Sequence, residues 1–311
     1  MNRVDDADDE FRFREEEAVE FGIPLPLQAA ARASTNDAEH RRVSFIRYGD
    51  GRPVVTFLHG AALNAHTWDA TAAALGTPAV ALDLPGHGCS EWRDDADYRP
   101  ETLAASLSSV IRGFAGPRLL VGQSLGGLTS ALIAAEDPAT AGLILVDITP
   151  GVSADETSPV AAFLAGPTDF ARRDDVVEAA RSAGIGVSRE SVARGVALNT
   201  CVRDDGRVVF THHLGNLSGM SPSLRWDPER LWRVLGDVAV PVWLVRARRG
   251  LVSDERVREF TGRLPRAHVI ELDTGHNVQE DDPVALARVI TDVLSSLEES
   301  SRTSELPEAR A

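Results

Sequence analysis

The stretch LLVGQSLGGLTS, residues 119–130, places one serine between glycines, directly after an apolar run and directly before a segment of helical character. Gly122, Ser124 and Gly126 match the pattern G-x-S-x-G, in which a sharp turn joins a buried strand to a helix. Larger side chains in place of the glycines would clash in so tight a turn. The turn itself raises the serine hydroxyl above the edge of the sheet. The stretch therefore predicts a strand, a turn and a helix with Ser124 as a nucleophile. The alternative is a glycine-rich turn whose serine only caps the helix.

Apolar runs like the one before Ser124 recur along the chain. Most are apolar without alternation, as in strands that are buried on both faces of a parallel sheet. Segments of helical character at residues 98–114 and 125–136 separate some of the runs, and this order is typical of α/β proteins. The runs are RVSFIRYG (42–49), PVVTFLHG (53–60), PAVALDLPG (78–86), PRLLVGQS (117–124), AGLILVDITP (141–150), VPVWLVRA (240–247) and AHVIELDTGH (267–276).

The apolar, strand-like runs stop after Pro150 and resume near residue 237, and the interruption divides the chain into segments. Short helix-like pieces without a long apolar strand predict an insertion that forms a cap. The acid-rich start lacks the basic and apolar regions of a signal peptide, and we expect a flexible tail with one early strand. The predicted division is a tail at 1–40, core at 41–150, cap at 151–236, core at 237–298 and a polar tail at 299–311.

Composition and charge narrow the classes of partner. Of the 311 residues 43% are hydrophobic, enough for a globular core, and the net charge of -15 disfavours nucleic acids and anionic membranes. All 32 basic residues are arginine, which excludes Schiff-base and P-loop chemistry because both require lysine. Cys89 and Cys201 form neither a disulfide framework nor a zinc spacing, and no apolar run approaches the ~18 residues of a membrane span. We therefore expect a cytoplasmic protein that binds small molecules and no metal.

A serine nucleophile also requires backbone amides that stabilise the developing oxyanion. The first predicted donor is the N–H of Leu125 at the start of the helix. The loop FLHGAALNAHTWD (57–69) follows an earlier strand and offers the second donor. We predict the N–H of Ala61, with that of Ala62 as the nearby alternative. His59 precedes the serine in the chain and is predicted to organise this loop, not to act as a base.

Five motifs follow one another in the order FLHG, ALDLPGHGCS, GQSLGG, LVDITP and DTGHNV. Over about residues 42–297 the chain thereby resembles the α/β-hydrolase superfamily. The resemblance implies a mostly parallel eight-stranded sheet flanked by helices, with a mainly helical cap inserted after the sixth strand, where residues 151–236 fall. It also implies hydrolysis, but not of which bond. The predicted serine chemistry requires no metal or organic cofactor.

The order serine, acid, histidine leaves four candidates for the base downstream of Ser124. His276 is favoured because it follows the last apolar run, where a loop at the carboxyl end of the sheet can bring its imidazole to the serine. His268 stands at the start of that strand, at the opposite edge of the sheet. His212 and His213 fall in the insertion, where we expect a pocket-lining or surface role.

The acid departs from the usual pattern. Most members of the superfamily carry it just beyond the seventh strand, but here Arg249 or Gly250 occupies that position and neither can orient an imidazole. Asp254 is close by, although it also suits the start of a helix. Asp147 ends the sixth strand 23 residues after Ser124, as in some haloalkane dehalogenases and lactone hydrolases. We favour Asp147 and keep Asp254 as the alternative.

Together these residues predict a serine hydrolase that cleaves a carboxylic ester or lactone through an acyl-enzyme. His276 would deprotonate Ser124, and Asp147 would steady the imidazolium. A serine nucleophile separates the chain from dehalogenases, in which an aspartate forms an alkyl-enzyme ester. Two alternatives stay open. One is a C–C hydrolase of β-diketones or vinylogous acids with the same triad, and the other is a non-catalytic protein that binds a ligand.

The substrate is expected to be partly apolar, because large apolar side chains occur in the cap and in the loop before it. Trp68, Phe163 and Trp226 are the predicted substrate contacts, and Leu164 and Phe170 are further candidates in the cap. The same side chains would also suit packing of the cap against the core.

Overall fold

The structure is a computed structural model and describes residues 3–4, 10–153, 163, 166–216 and 225–305. The strands in these ranges are β1 (Arg3–Val4), β2 (Ala30–Asn36), β3 (Arg42–Tyr48), β4 (Val55–Leu58), β5 (Ala79–Leu82), β6 (Arg118–Gln123), β7 (Thr140–Val146), β8 (Asp169–Phe170), β9 (Thr200–Arg203), β10 (Val208–Phe210), β11 (Val242–Arg249) and β12 (His268–Gly275). The helices are α1 (Arg14–Glu20), α2 (Asp69–Leu75), α3 (Pro100–Arg112), α4 (Leu125–Glu136), α5 (Arg173–Ser182), α6 (Arg189–Asn199), α7 (Pro228–Gly236), α8 (Asp254–Arg263), α9 (Val278–Asp281) and α10 (Pro283–Glu305).

Eight of the described strands form the central sheet in the order β12-β11-β7-β6-β4-β5-β3-β2. All run in the same direction except β3, which is antiparallel to its neighbours β2 and β5. Every residue of β4, β5 and β6 is buried. Helices cover both faces of these strands, so most side chains on either face are apolar. The predicted α/β fold with a mostly parallel eight-stranded sheet is thus confirmed.

Two apolar cores lie on the two faces of the sheet. On one face α2 packs against α10, and on the other α3 and α7 pack against α4. Trp68 belongs to the first core, where it is fully buried and its ring stacks on that of Phe57 at 4.7 Å. The prediction that Trp68 contacts substrate is therefore wrong, because the loop after β4 turns this side chain back onto the sheet.

The N-terminal segment is folded from residue 10 onward. Helix α1 packs on α2, and β2 pairs with β3 along its whole length as the early strand of the sheet. Arg32 of β2 donates to the buried carboxylate of Asp83 at 2.7 Å, which ties the edge strand to the core. The prediction of a flexible tail at 1–40 is wrong for residues 10–40. Acidic composition indicated a solvated chain, but arginines distant in sequence pair with several of these carboxylates.

Helices α5 and α6 make up most of the described cap, in keeping with the expected mainly helical cap, and a small sheet that the sequence did not indicate accompanies them. Strands β9, β10 and β8 form a small antiparallel sheet that β1 extends, and α5 and α6 pack on it. Strands of two to four residues are too short to show a periodic pattern in the sequence. Helix α7 packs on α4 of the core, so the cap ends before residue 228, not at 236.

The last helix is longer than predicted. Helix α10 continues to Glu305, so residues 299–305 of the predicted polar tail are helical. Its apolar residues Leu286, Ile290 and Val293 are buried in the core beside α2. In the part of the chain that the structure describes, no helix combines the length and the apolar character needed to cross a bilayer.

Candidate active site

Ser124 lies in the tight turn between β6 and α4. Its φ of 51° and ψ of -121° fall in a region that side chains rarely adopt, and such strain persists only where the surroundings enforce it. The glycines on either side of Ser124 allow neighbouring backbone segments to lie very close to this turn. A Cβ at Gly122 would lie 2.6 Å from the Cα of Gly127, and one at Gly126 would lie 2.5 Å from the carbonyl oxygen of His59. The structure thus contains the strand, turn and helix that the sequence predicted.

The two amides predicted to bind an oxyanion lie beside the serine. Leu125 is the first residue of α4, so its N–H has no acceptor within the helix. Neither this amide nor that of Ala61 donates a hydrogen bond to another residue in the described ranges. Ala61 and Leu125 line the same cavity as Ser124, as does Ala62, the alternative donor. Both predicted amides are therefore available to an oxygen atom bound at Ser124.

His59 holds the loop that carries Ala61. Its Nε2 accepts a hydrogen bond from the N–H of Leu84 at 3.0 Å, and its Nδ1 lies 2.7 Å from the carbonyl oxygen of Gly60. Burial lowers the pKa of His59 to about 4, so the ring is neutral near pH 7. A neutral ring with both nitrogens engaged has the loop-organising role that the sequence predicted.

His276 follows β12, and its Nδ1 lies 2.8 Å from Oδ2 of Asp147. Asp147 follows β7 with a φ of 47°, a conformation that aspartate tolerates better than most residues. Its fully buried carboxylate also accepts hydrogen bonds from the N–H of Ala247 at 3.1 Å and of Leu251 at 2.7 Å. Two backbone donors therefore fix the carboxylate, which in turn fixes the ring of His276 with Nδ1 as the hydrogen-bond donor.

Gly250 explains how Asp147 reaches the histidine. A Cβ at Gly250 would overlap Oδ2 of Asp147 and lie 2.5 Å from its Cγ. Gly250 lies beyond β11, where most of the superfamily carries the acid. Because it has no side chain, the carboxylate of Asp147 can fill the space at this position. Arg249 leaves this space free, because its side chain is largely exposed and pairs with Asp273.

Asp254, the alternative acid, is not brought to the histidine. It is the first residue of α8, and its side chain is 74% exposed and lies 2.5 Å from Nη2 of Arg246. Ser253 before it caps the helix by accepting the N–H of Arg256. Asp254 thus lies at the start of a helix, which was the alternative interpretation of this residue from the sequence.

The ring of His276 faces Gln123 in this structure. Among the described residues no hydrogen bond joins Oγ of Ser124 to His276, and Nε2 of His276 lies 2.9 Å from Nε2 of Gln123. Hydrogen bonds between nucleophile and base are often long before substrate binds. The sequence did not single out Gln123, because the motif G-x-S-x-G leaves its position unspecified.

A cavity of about 640 Å³ lies between the cap and the core and contains the Ser124 side chain in its wall. Phe163 and Trp226 line it, as predicted, and their contact with substrate stays a prediction. Phe170 packs inside the cap instead, and Leu164 lies outside the described residues. Much of the remaining wall is apolar and includes Leu63, Leu128, Ile148, Val176, Val196 and Phe210.

The N-terminal helix forms part of this wall, which the sequence did not indicate. Glu17 of α1 and Phe21, the residue directly after this helix, line the cavity together with Arg194 of the cap helix α6. The nearly buried guanidinium of Arg194 lies 2.5 Å from Glu20 and 3.2 Å from Glu16. Helix α1 therefore links the cap to the core, and only the folded chain reveals this because the partners are far apart in sequence.

We expect Glu17→Gln to become more stable relative to the wild type as the pH rises. Burial, with the negative charge of Asp69, raises the pKa of Glu17 to about 8 from its ordinary 4.5. Between these values the folded chain holds a proton that the unfolded chain has lost, so this carboxyl lowers the free energy of unfolding as the pH rises. Urea unfolding at about pH 5 and about pH 8.5 measures the difference. The exposed Glu15→Gln on the same helix is the control, and an equal gain there would contradict the expectation.

The site and the sheet define the class of the protein. The profile of the Alpha/beta hydrolase family matches residues 57–289, which include the turn of Ser124, Asp147 and His276. The chain belongs to this family and is a hydrolase, as the resemblance implied.

Relatives extend the similarity beyond that range. Esterase Rv0045c of Mycobacterium tuberculosis is 34% identical over 301 residues, which cover 93% of this chain and 96% of the esterase. A crystal structure of the M. tuberculosis esterase Rv0045c superposes with a TM-score of 0.79 and 33% identity, covering 92% of this chain and 98% of that one. Protein phosphatase methylesterase 1 of Bos taurus is 31% identical over 141 residues, which cover 42% of this chain and 37% of the methylesterase.

Proposed function

We propose that this protein is a serine hydrolase that cleaves a carboxylic ester or lactone through an acyl-enzyme. The observation that carries the proposal is the 2.8 Å contact between Asp147 and Nδ1 of His276, whose ring lines the same cavity as the strained Ser124. This arrangement leaves Nε2 as the unprotonated nitrogen, which a general base requires.

The reaction follows from these positions. Oγ of Ser124 attacks the carbonyl carbon while Nε2 of His276 accepts the hydroxyl proton, and Asp147 stabilises the imidazolium. The N–H groups of Ala61 and Leu125 donate to the oxyanion of the tetrahedral intermediate. The proton on Nε2 then passes to the leaving alcohol, which departs and leaves the acyl-enzyme. A water molecule, deprotonated by His276, releases the acid and restores the serine.

The relatives and the cavity support an ester as the substrate. A named esterase matches nearly the whole chain, and a methylesterase matches part of it. The largely apolar wall suits a partly apolar small molecule, which we propose as the substrate. A C–C hydrolase would use the same groups, but no feature of the site favours it. A non-catalytic protein would be favoured if the acid of the triad were missing, and in this proposal Asp147 supplies that acid.

The test is covalent trapping combined with ester turnover. A fluorophosphonate should label about one serine per chain, and peptide mass spectrometry should place the label on Ser124. Turnover of p-nitrophenyl butyrate should begin with a burst of nitrophenol if deacylation is the slower step. Ser124→Ala is the control and should show neither signal. A folded wild-type protein that stays unlabelled would contradict the proposal, and turnover of β-diketones alone would favour the C–C hydrolase.

A further inference from the structure

The side chain of Gln123, which directly precedes the nucleophile, is buried against the loop of the base. Its Nε2 lies 2.9 Å from Nε2 of His276, 3.3 Å from Oδ1 of Asn277 and 3.4 Å from the carbonyl oxygen of His276. Two of these three neighbours are oxygen atoms and can only accept. The oxygens therefore establish that the amino end of the Gln123 amide, and not its carbonyl end, faces the histidine.

This orientation assigns both nitrogens of the His276 ring. An amide nitrogen can only donate, so Nε2 of His276 must be the unprotonated acceptor. The carboxylate of Asp147 can only accept, so Nδ1 carries the proton. The ring is thus neutral, and its lone pair, which must take the proton of Ser124, is bound to Gln123.

We propose that Gln123 is a positioning residue that holds the general base in its neutral form and keeps the lone pair of His276 occupied until substrate engages Ser124. The inference rests on the proposed serine-hydrolase function and adds a step to it. Nε2 has a single lone pair, so the hydrogen bond from Gln123 must break before that nitrogen can accept the proton of the Ser124 hydroxyl. The new Nε2–H then turns away from the amide and donates to an oxygen of the reacting ester.

The surroundings prevent Gln123 from following this change by turning its amide over. A reversed amide would bring Oε1 against the oxygens of Asn277 and His276, where two acceptors repel. Oε1 of Gln123 is buried without a hydrogen-bond partner in the described part of the chain. It lies against Gly60, because a Cβ added to Gly60 would lie 3.0 Å from Cδ of Gln123. The side chain of Gln123 thus packs between Gly60, in the loop that carries Ala61, and the residues His276 and Asn277 after β12. It disfavours a proton on Nε2 of His276 in the free enzyme.

Other ionisable groups also face His276, and the test must separate them from Gln123. Asp147 binds Nδ1, while Glu280 and Asp281 of α9 interact electrostatically with the ring. Burial raises the pKa values of both Glu280 and Asp281. Arg249 acts on Asp281 from the end of β11. A neutral substitution at Gln123 leaves all of these charges in place.

The experiment compares the pH dependence of kcat/KM in Gln123→Met and Gln123→Glu with that of the wild type. Methionine has similar length but no hydrogen-bond donor, so the neutral ring of His276 loses the bond that stabilises it. The acid limb of the kcat/KM profile should therefore move up by about half a pH unit. Glutamate places a carboxylate beside Nε2, favours the imidazolium and should move the limb up by about one unit or more. Gln279→Met is the matched control, because this buried glutamine binds Thr67 and not His276.

A purely structural role for Gln123 would lower kcat/KM equally at every pH and leave the acid limb where it is, and that result would overturn the inference. A shift of the same size in Gln279→Met would overturn it as well. If Gln123→Met does not fold, the nearly isosteric Gln123→Glu gives the same comparison. Failure of the proposed function would instead appear in the wild type, as a folded protein whose Ser124 does not react with fluorophosphonate.

Discussion

Replacing Asp147 by asparagine is expected to lower kcat/KM for ester hydrolysis by about 10⁴-fold. Oδ1 and Oδ2 of Asp147 accept from the N–H groups of Ala247 and Leu251, and Oδ2 also accepts from Nδ1 of His276. Asparagine has a single oxygen, so its amino group would face either a backbone N–H or the imidazole. If it faces the ring, Nδ1 must become the acceptor and Nε2 carries the proton. A ring in that tautomer cannot deprotonate Ser124.

The matched control is Asp254→Asn, which makes the same chemical change in the residue that the sequence offered as the alternative acid. Its side chain is 74% exposed and pairs with Arg246, so we expect kcat/KM to change by about twofold or less. Steady-state kinetics on the same p-nitrophenyl ester measure both variants, with circular dichroism to verify folding. A large loss in Asp254→Asn together with near-normal activity in Asp147→Asn would exclude the proposed triad.

The sheet and its nucleophile turn could be predicted from the sequence because each depends on local chemistry. Strands β4 to β7 are buried on both faces and therefore appear as unbroken apolar runs. The turn at Ser124 needs small residues on both sides, and its glycines record that need directly. Where burial or backbone contact limits the choice of residue at one position, the sequence alone carries the information.

The N-terminal helix and the short strands of the cap depend on contacts between distant residues and escaped prediction. The glutamates of α1 were interpreted as a solvated acidic run, yet Glu16 and Glu20 pair with Arg194 of the cap. The cap strands contain two to four residues, too few for a pattern to be distinguished from a loop. Trp68 shows the same limit within the core, since only the course of its loop decides whether it faces the cavity or the sheet.

The candidate site was predictable in its parts but not in its connections. Chain order favoured His276, and the missing carboxylate beyond the seventh strand of the sheet directed attention to Asp147. Gln123 could not be found in this way, because its role depends on which end of its amide faces His276. Gly250 carried a usable signal, since a residue with no side chain at the usual position of the acid leaves room for a carboxylate from a neighbouring strand.

Gly250→Ala is therefore expected to lower kcat/KM by about 10²-fold, although Gly250 has no side chain to take part in the reaction. The added Cβ would occupy the place of Oδ2 of Asp147 and lie 2.7 Å from the Cβ of Ala247. The carboxylate must then move away from the N–H of Leu251 and from the ring of His276. A displacement of about 1 Å suffices for a loss of this size. Overpacking should also lower the free energy of unfolding by about 1–3 kcal/mol.

Two further variants separate displacement of the acid from general damage. Gly262→Ala in α8, where a Cβ would meet no atom within 4 Å, should keep full activity and gain stability. The double variant Asp147→Ala/Gly250→Asp returns a carboxylate to the loop beyond β11, into the space that the first substitution empties. It should be at least about tenfold more active than Asp147→Ala alone, because the imidazole regains an acceptor for Nδ1. Wild-type kinetics in Gly250→Ala would show that the carboxylate of Asp147 does not depend on this space, and the explanation of the displaced acid would then fail.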